Sequence, residues 1–223
     1  SNFSRHFHVC IDATPGEGVS DASYAEALKR ASLSVNVFLA KLAIGLEPDE
    51  TEVFERKPVP AEKKLPKVAY LVTHMASHDT WNFLYYGQSA LNFLPIVVQP
   101  TEILDGAMIW RYWEPNYFLQ NEVYIKELMK RHGKDLEFVG VVFDNNVMKI
   151  DGKDTMSMIS ATLCKDTLGA DCVMLNKSGM GHCQLDSALA FNWCQKLGMT
   201  AALNLSAVSN YEPGDMLVIA DPK

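Results

Sequence analysis

The sequence predicts a three-layer α/β protein in which a mostly parallel sheet carries helices on both faces. Segment 136–143, LEFVGVVF, is an almost continuous apolar run, as expected of a strand covered on both faces. Other strand-like runs alternate along the chain with segments of helical periodicity, and this alternation indicates βαβ units. The predicted strands are segments 6–13, 67–73, 92–99, 136–143, 170–176, 199–205 and 215–220.

Four predicted helices lie between these strands. The first begins after Ser20, whose hydroxyl can cap it, and ends near Gly45. The other three span residues 121–131, 153–168 and 185–197, and a glycine typical of helix C-termini follows each. The apolar residues of the first helix form one stripe: Tyr24, Leu28, Ala31, Val35, Phe38 and Leu42.

Composition divides the chain into three parts. Residues 46–66 are rich in Pro, Glu and Lys and are typical of a solvated linker. We therefore expect a strand–helix unit over residues 1–45 and an α/β domain over residues 67–223, packed together as one globular unit.

Charge and cysteine usage exclude several functions. The chain has 223 residues, a formal net charge of -7 and dispersed basic residues, which argues against nucleic-acid binding. It has no apolar run of about 18 residues, so we expect no membrane span. Its five cysteines are an odd number without CxxC spacing, which favours reduced thiols and a cytoplasmic protein.

The predicted sheet selects candidate site loops before any single residue is considered. In open α/β sheets, ligands bind outside the carboxyl ends of the strands, near a topological switch point. The loops that this rule selects are 12–18, 73–80, 99–106, 144–146, 176–183 and 204–210.

The loop NKSGMGHCQLD, residues 176–186, is the best of these candidates. Gly179 and Gly181 allow a tight turn, and the following helix N-terminus favours a carboxylate or phosphate of a substrate. Cys183, beside His182 at that helix start, is a candidate nucleophile because both neighbours lower the pKa of a thiol. The alternative is that Cys183 is a small buried residue that fills space.

Two histidines suggest a metal. His74 and His78 are four residues apart, and with His182 or Cys183 they could complete a site for a transition metal such as zinc or iron. Alternatively, they are unrelated polar residues of a loop, since a metal needs three or four converging ligands.

The same loop offers an acid–base pair. Asp79 could orient the His78 imidazole for general acid–base catalysis, or it could cap a helix that begins near Trp81.

An aromatic cluster surrounds Arg111 and could wall a substrate pocket or hold a cation over ring faces. Such clusters also form cores and subunit interfaces. The aromatic residues are Trp110, Tyr112, Trp113, Tyr117 and Phe118.

Several ordered segments resemble one known family. LPKVAY (65–70), HDT (78–80), PTE followed by DGA (100–107) and KRHGKDLEFVGV (130–141) resemble the substrate-activating subunit of the glycine/sarcosine/betaine and D-proline reductases. The resemblance covers roughly residues 3–200. It implies a substrate that condenses with a pyruvoyl group as a Schiff base, and a partner selenoprotein that attacks the activated carbon.

One departure from this family changes the expected chemistry. Trp113 stands where the family has the cysteine that becomes the pyruvoyl group, so a pyruvoyl cofactor is not expected. The other positions that match the family's site are His78, Asp79, Thr80, Glu102, Asp105, Gly106, Gln120, Asn121, Gly179, Gly181 and Asp186.

These observations support an enzyme subunit. We expect a hetero-oligomeric reductase or lyase-like enzyme that cleaves a carbon–heteroatom bond in a small amino-acid-like substrate, with a second subunit that bears a thiol or selenol. Cys183 would be the nucleophile or a metal ligand, and His182, His78 and Asp79 would face it. The substrate-binding residues would be Gly179, Gly181, Thr80, Glu102, Asp105, Gln120, Asn121 and Arg111. The alternatives are a non-catalytic partner subunit and a small-molecule binding module.

Overall fold

The structure is a computed structural model that describes residues 9–74, 83–91, 93–109, 117–177 and 181–204, without the side chain of Phe118. The described chain divides between Glu50 and Thr51 into two compact units. The expected division into residues 1–45, 46–66 and 67–223 stays a prediction. No helix among the described residues has both the length and the apolar content of a membrane span.

The first unit contains one long helix, α1 (Asp21–Leu42). The Ser20 side chain accepts a hydrogen bond from the Ser23 amide at 3.3 Å, which confirms the predicted cap. Residues 9–13 form no strand, so the described part of predicted strand 6–13 is wrong. That segment is exposed, and a strand without a partner leaves its backbone groups unpaired.

The second unit carries the sheet. Residues 51–66 have no helix or strand. The elements that follow are β1 (Lys67–His74), β2 (Leu84–Tyr85), β3 (Gln88–Ser89), β4 (Ile96–Val98), α2 (Pro100–Leu104), β5 (Met108–Ile109), α3 (Tyr117–Gln120), α4 (Val123–Arg131), β6 (Glu137–Asn145), α5 (Ile150–Thr162) with a π-helical extension (Leu163–Thr167), β7 (Cys172–Lys177), α6 (His182–Lys196) and β8 (Thr200–Leu203). Predicted strand 215–220 lies outside the described residues.

The main sheet has five strands in the order β4-β6-β1-β7-β8. β1 pairs in parallel with both β6 and β7, and β7 pairs in parallel with β8. β4 is antiparallel to β6. The mostly parallel α/β fold predicted from the sequence is confirmed.

The two faces of the sheet bury different side chains. Along β1, Tyr70 and Val72 enter one core with residues of α4 such as Ile125. Ala69 and Leu71 enter a second core with residues of α5 and α6. Side chains of a strand alternate between faces, so one sheet separates two cores and the protein has the three layers that were predicted.

A small second sheet, in the order β3-β2-β5, was not predicted. Its hairpin turns through Tyr86 and Gly87, which both have positive φ, at 48° and 76°. Two successive positive φ values are typical of the tight turn that suits a two-residue hairpin loop. Two-residue strands carry too short a hydrophobic pattern to be recognised in the sequence.

The antiparallel edge strand corrects one expectation about the site. Loop 99–106 was expected at the carboxyl edge of a parallel sheet. Val98, at the end of β4, pairs with Val141 in the middle of β6, and Ile96 pairs with Phe143. The chain therefore leaves β4 toward the amino end of β6, since β4 runs opposite to its neighbour.

The strand order also defines a switch point. The chain passes from β1 to β6 on one side, then crosses to β7 on the other side of β1 and continues to β8. The direction of the connections reverses between β1 and β7, and a crevice for ligands is expected beyond the carboxyl ends of these two strands.

Candidate functional site

Polar side chains converge at the carboxyl ends of β1 and β7. His74 ends β1, Asn176 and Lys177 end β7, and Glu122 precedes α4. These residues and Tyr70 line a cavity of about 20 Å³, with apolar residues of α2, α3 and α4 on its other sides. A space of this size holds about one water molecule. Its lining includes His74 at the end of β1 and Lys177 at the end of β7, the two strands that flank the switch point.

A hydrogen-bond network crosses three strands beside this cavity. The Tyr70 hydroxyl donates to Glu122 Oε1 at 3.0 Å and accepts from Asn176 Nδ2 at 2.8 Å. Asn204, just after β8, donates to Asn176 Oδ1 at 3.2 Å and to the Tyr124 hydroxyl at 2.5 Å. The network therefore holds the Tyr70 hydroxyl and the Glu122 carboxyl in fixed positions.

Burial changes the acidity of these two groups. It raises the pKa of Glu122, although the hydrogen bond from Tyr70 acts in the opposite direction. Burial also raises the pKa of Tyr70, and the negative charge of Glu122 adds to that effect. A carboxyl group with a raised pKa takes up a proton more readily than an exposed glutamate does.

Lys177 is a buried cation at this site. It is 7% exposed. Burial lowers the pKa of Lys177, and the nearby Cys183 acts in the opposite direction. The sequence pattern did not single out Lys177, because a lone lysine at a strand end carries no motif.

Cys183 and His182, the two adjacent residues of the predicted thiol site, lie in different environments. Cys183 is fully buried in the first turn of α6, close enough to Lys177 to affect its pKa. His182 is exposed. Gly181 precedes the helix with φ of 64°, and Gly179 lies outside the described residues. The structure thus places Cys183 near Lys177, and the role of either side chain stays a prediction.

The predicted metal ligands are only partly described. His74 is buried, and its ring stacks on Phe143 with centroids 4.8 Å apart and an interplanar angle of 17°. His78 lies outside the described residues. Within the described ranges, no group of three or more His, Cys, Asp or Glu residues could hold a metal ion. A metal at this site stays a prediction that depends on His78.

Glu102 has a structural role at the start of α2. Its carboxylate accepts hydrogen bonds from the Gln99 amide at 2.5 Å, from Tyr85 at 2.8 Å and from Tyr86 at 2.9 Å. Burial raises the pKa of Glu102, but these three hydrogen bonds together outweigh burial and leave it below its ordinary value. The contacts join α2 to the hairpin, as a helix-capping carboxylate does.

Two other positions that match the family's site, Gly106 and Gln120, lie together. A methyl group added at Gly106 would lie 2.5 Å from Nε2 of Gln120, and Gly106 has φ of 83°. Glycine is required here both for the backbone conformation and for the close approach of Gln120. Asn121 Nδ2 donates to the Tyr117 carbonyl at 3.0 Å.

The predicted substrate-binding residue Asp105 caps the C-terminus of α2, where its amide donates to the Thr101 carbonyl at 2.7 Å. The predicted site residues His78, Asp79, Thr80, Arg111 and Gly179 lie outside the described residues, as do Trp110, Tyr112 and Trp113 of the aromatic cluster.

A second polar cluster lies on the opposite face of the sheet, and only part of it was predicted. Lys153 Nζ donates to both carboxylate oxygens of Asp186 at 3.0 Å, and Asn146 also donates to Asp186. Lys153 and Asp186 are 1% and 3% exposed. Loop 144–146 and Asp186 were candidates from the sequence, whereas Lys153, inside an ordinary helix pattern, gave no signal.

This second cluster contains a strongly perturbed carboxyl group. Burial and the negative charge of Asp186 raise the pKa of Asp144 to about 7. Side-chain oxygens of Thr73, Asp144 and Asn146 are buried without a hydrogen-bond partner among the described residues. Such oxygens require a proton or a water molecule, since an unpaired buried acceptor is costly.

The fold and the converging polar residues define a doubly wound α/β protein with a candidate small-molecule site at its switch point. A family model described as "Glycine/sarcosine/betaine reductase component B subunits" matches residues 1–212. The chain belongs to this family, and the resemblance noted in the sequence is confirmed.

Curated relatives agree with the family model. The chain is 34% identical to the sarcosine reductase complex component B subunit alpha of Peptoclostridium acidaminophilum, over 90% of this chain and 49% of that protein. It is 30% identical to the glycine reductase complex component B subunits alpha and beta of the same organism, over 96% of this chain and 51% of that protein. It is 32% identical to the same component of Acetoanaerobium sticklandii, over 87% of this chain and 47% of that protein.

The chain thus spans about half the length of these curated relatives. No solved structure matches it significantly.

Proposed function

We propose that the chain is a subunit of a hetero-oligomeric reductase complex that breaks a carbon–heteroatom bond in a small amino-acid-like substrate without a pyruvoyl group. The observation that carries this proposal is the family match over residues 1–212. The polar cavity at the switch point supports it, because such crevices bind small molecules in open α/β sheets.

The absence of a pyruvoyl group is part of the proposal. The resemblance noted in the sequence aligns Trp113 with the cleavage cysteine of the family. An indole ring has no thiol or hydroxyl group that could attack the preceding peptide bond. The residues at this position therefore do not fit a pyruvoyl group, and the proposed reaction uses none.

The proposed catalytic groups belong to the segments that follow β1 and β7 in the chain. Cys183 acts as the nucleophile, and the nearby Lys177 ammonium favours its thiolate form. The start of α6 at Gly181 holds the substrate carboxylate, while His78 and Asp79 move protons. The second subunit supplies a thiol or selenol, and the complex works in the cytoplasm, where reduced cysteines persist.

Reconstitution of the complex tests this function. The tagged chain is purified from its native cells with its associated proteins, and the thiol-dependent release of amine is measured with glycine, sarcosine and betaine, the substrates that the names of the relatives suggest. We expect Cys183→Ala to abolish release. Cys194→Ala is the matched control, because Cys194 is an equally buried cysteine in the same helix.

Metal analysis separates two versions of the site. A transition metal held by His74, His78, His182 and Cys183 would make Cys183 a ligand. Near-stoichiometric metal in the purified complex, lost in both His78→Ala and Cys183→Ala, would support that version. A metal-free complex with full activity would leave Cys183 as the nucleophile.

A second candidate function is a non-catalytic partner subunit. The aromatic residues at 110–118 favour it, because large aromatic side chains commonly fill subunit interfaces. In this case Cys183→Ala leaves turnover unchanged, while Trp113→Ala weakens assembly of the complex in size-exclusion chromatography.

A further inference from the structure

The second polar cluster, around Asp144, has buried oxygens that its own hydrogen bonds leave unpaired. Thr73 and Asp144 pair side by side near the carboxyl ends of β1 and β6. Both side chains point to the face that α5 and α6 cover, because Leu71 and Val142, two residues earlier on each strand, lie in that core. Side-chain oxygens of Thr73, Asp144 and Asn146 have no hydrogen-bond partner among the described residues.

The same cluster carries a negative charge that no side chain in it compensates. Lys153 Nζ donates to both carboxylate oxygens of Asp186 at 3.0 Å, so these two charges balance each other. Asp144 is a third charged group, and burial and the negative charge of Asp186 raise its pKa. When Asp144 is ionised, the cluster therefore has one negative charge in excess, and a buried net charge is costly.

We propose that this cluster binds one monovalent metal cation, Na⁺ or K⁺, through side-chain oxygens of Thr73, Asp144 and Asn146. The site is distinct from the predicted His and Cys metal site, because two of its three ligands are uncharged oxygens. It goes beyond the proposed reductase role and depends on neither a substrate nor a second subunit.

A monovalent cation satisfies the oxygens and the charge together. A proton on Asp144 removes the charge but reaches at most two of the three oxygens. A water molecule satisfies the oxygens but leaves the charge of the carboxylate in place. A divalent ion such as Mg²⁺ would leave an excess positive charge beside the Lys153 ammonium, and it is ordinarily bound with several of its own water molecules.

The cation would act on the fold and not on the substrate. Thr73, Asp144 and Asn146 are each at most 1% exposed, so the ion exchanges only when this part of the protein opens. It joins the ends of β1 and β6, and Asn146 connects the site to α6 through its hydrogen bond to Asp186. A bound cation favours the ionised form of Asp144, so the loss of stability that this group causes at high pH belongs to the cation-free protein.

Thermal unfolding of the full chain tests the proposal at pH 8, above the pKa of Asp144 of about 7. The protein is dialysed against choline chloride, and Na⁺ or K⁺ then replaces choline at constant ionic strength, so that screening stays the same. A ligand that binds only the folded state stabilises it as its concentration rises. At about a hundredfold excess over the dissociation constant, we expect the midpoint temperature to rise by roughly 5–10 °C with at least one of the two ions.

Three variants locate the site. Asp144→Asn removes the excess charge and should abolish the rise. Thr73→Val keeps the shape but lacks one oxygen, so about tenfold more cation should be required for the same rise. Asp154→Asn is the matched control, because Asp154 lies on the same helix as Lys153 but is exposed and accepts a hydrogen bond from Trp193. This variant should keep the full rise.

Three results would overturn the proposal. Equal midpoints in choline, Na⁺ and K⁺ would show that a proton or a water molecule satisfies the buried oxygens. An undiminished rise in Asp144→Asn would place the cation elsewhere in the protein. A rise with Mg²⁺ but with neither monovalent ion would contradict the balance of charges. The reductase assay is independent of all three, because unfolding is measured without substrate on the isolated chain.

Discussion

Two polar clusters lie on opposite faces of the same sheet and differ in their access to ligands. The Tyr70–Glu122–Asn176 network lines a cavity, and hydrogen bonds connect its members. The Asp144–Lys153–Asp186 cluster is almost completely buried and contains unpaired oxygens among the described residues. The first arrangement can act on a bound molecule, whereas the second acts mainly on the stability of the fold and its dependence on pH.

The largest expected effect comes from breaking the buried ion pair. Lys153→Met leaves the Asp186 carboxylate buried without its cation, and we expect the free energy of unfolding to fall by about 3–5 kcal/mol in urea titrations at pH 7. The double variant Lys153→Met/Asp186→Leu should recover much of that loss. If both variants are equally destabilised, the packing of these side chains and not their charges determines the loss.

A surface ion pair provides the matched control for this prediction. Arg131 and Asp135 are both about half exposed and lie 2.5 Å apart. Because water screens exposed charges, Arg131→Met should change the stability far less than Lys153→Met.

The next effect is the pH dependence caused by Asp144. Its pKa is about 7 in the folded protein against an ordinary value of 3.8, so the folded state binds the proton more tightly than the unfolded state. The stabilisation from this proton is complete below pH 3.8 and is lost as the pH rises to about 7. Asp144→Asn removes this loss and should be more stable than the wild type above pH 7, by up to roughly 4 kcal/mol.

Urea titrations of both proteins between pH 5 and 8 measure this difference. The wild type should lose stability relative to Asp144→Asn as the pH rises. A constant difference across that range would show that Asp144 does not titrate there.

A smaller effect is expected from the network that lines the cavity. Tyr70→Phe removes the hydroxyl that donates to Glu122, and leaving a buried acceptor unpaired costs about 1–3 kcal/mol. The hydrogen bond from Tyr70 lowers the pKa of Glu122, so the variant should raise that pKa further. Carbon-detected NMR titration of the Glu122 carboxyl measures it. An unchanged titration would mean that the two groups do not interact in solution.

The smallest effect concerns the contact between Gly106 and Gln120. Gly106→Ala and Gly133→Ala each place a side chain at positive φ, which costs about 1–2 kcal/mol. Only the first variant also displaces Gln120, since nothing lies within 4 Å of the added atom at Gly133. We therefore expect Gly106→Ala to be slightly less stable in thermal unfolding. Equal losses would show that Gln120 moves aside without cost.

The sequence predicted the regions of the fold that carry a strong periodic pattern. The apolar runs at 67–73, 136–143 and 170–176 form β1, β6 and β7, because strands covered on both faces must be continuously apolar. The small sheet was missed, since its strands have two residues each. The direction of β4 was also missed, because an apolar run has the same pattern in parallel and antiparallel sheets.

The candidate site was predicted less completely than the fold. The rule for parallel sheets selected the loops after β1, β6 and β7, and Cys183 was a candidate from its place at a helix start. Lys177 lies in the selected loop 176–183 but was given no role, and Lys153 was not a candidate, since a lysine is ordinarily exposed and nothing in its neighbours along the chain marks it as buried.

The sequence by itself determined the family and the alternation of strands and helices, because these depend only on the order of residues. The tertiary structure decided which polar groups meet. Tyr70, Glu122 and Asn176 are far apart in the chain. Lys153 of α5 pairs with Asp186 of the following helix, α6. Their charges and pKa shifts arise from burial and from neighbours distant in sequence, and only the packed sheet and helices create those conditions.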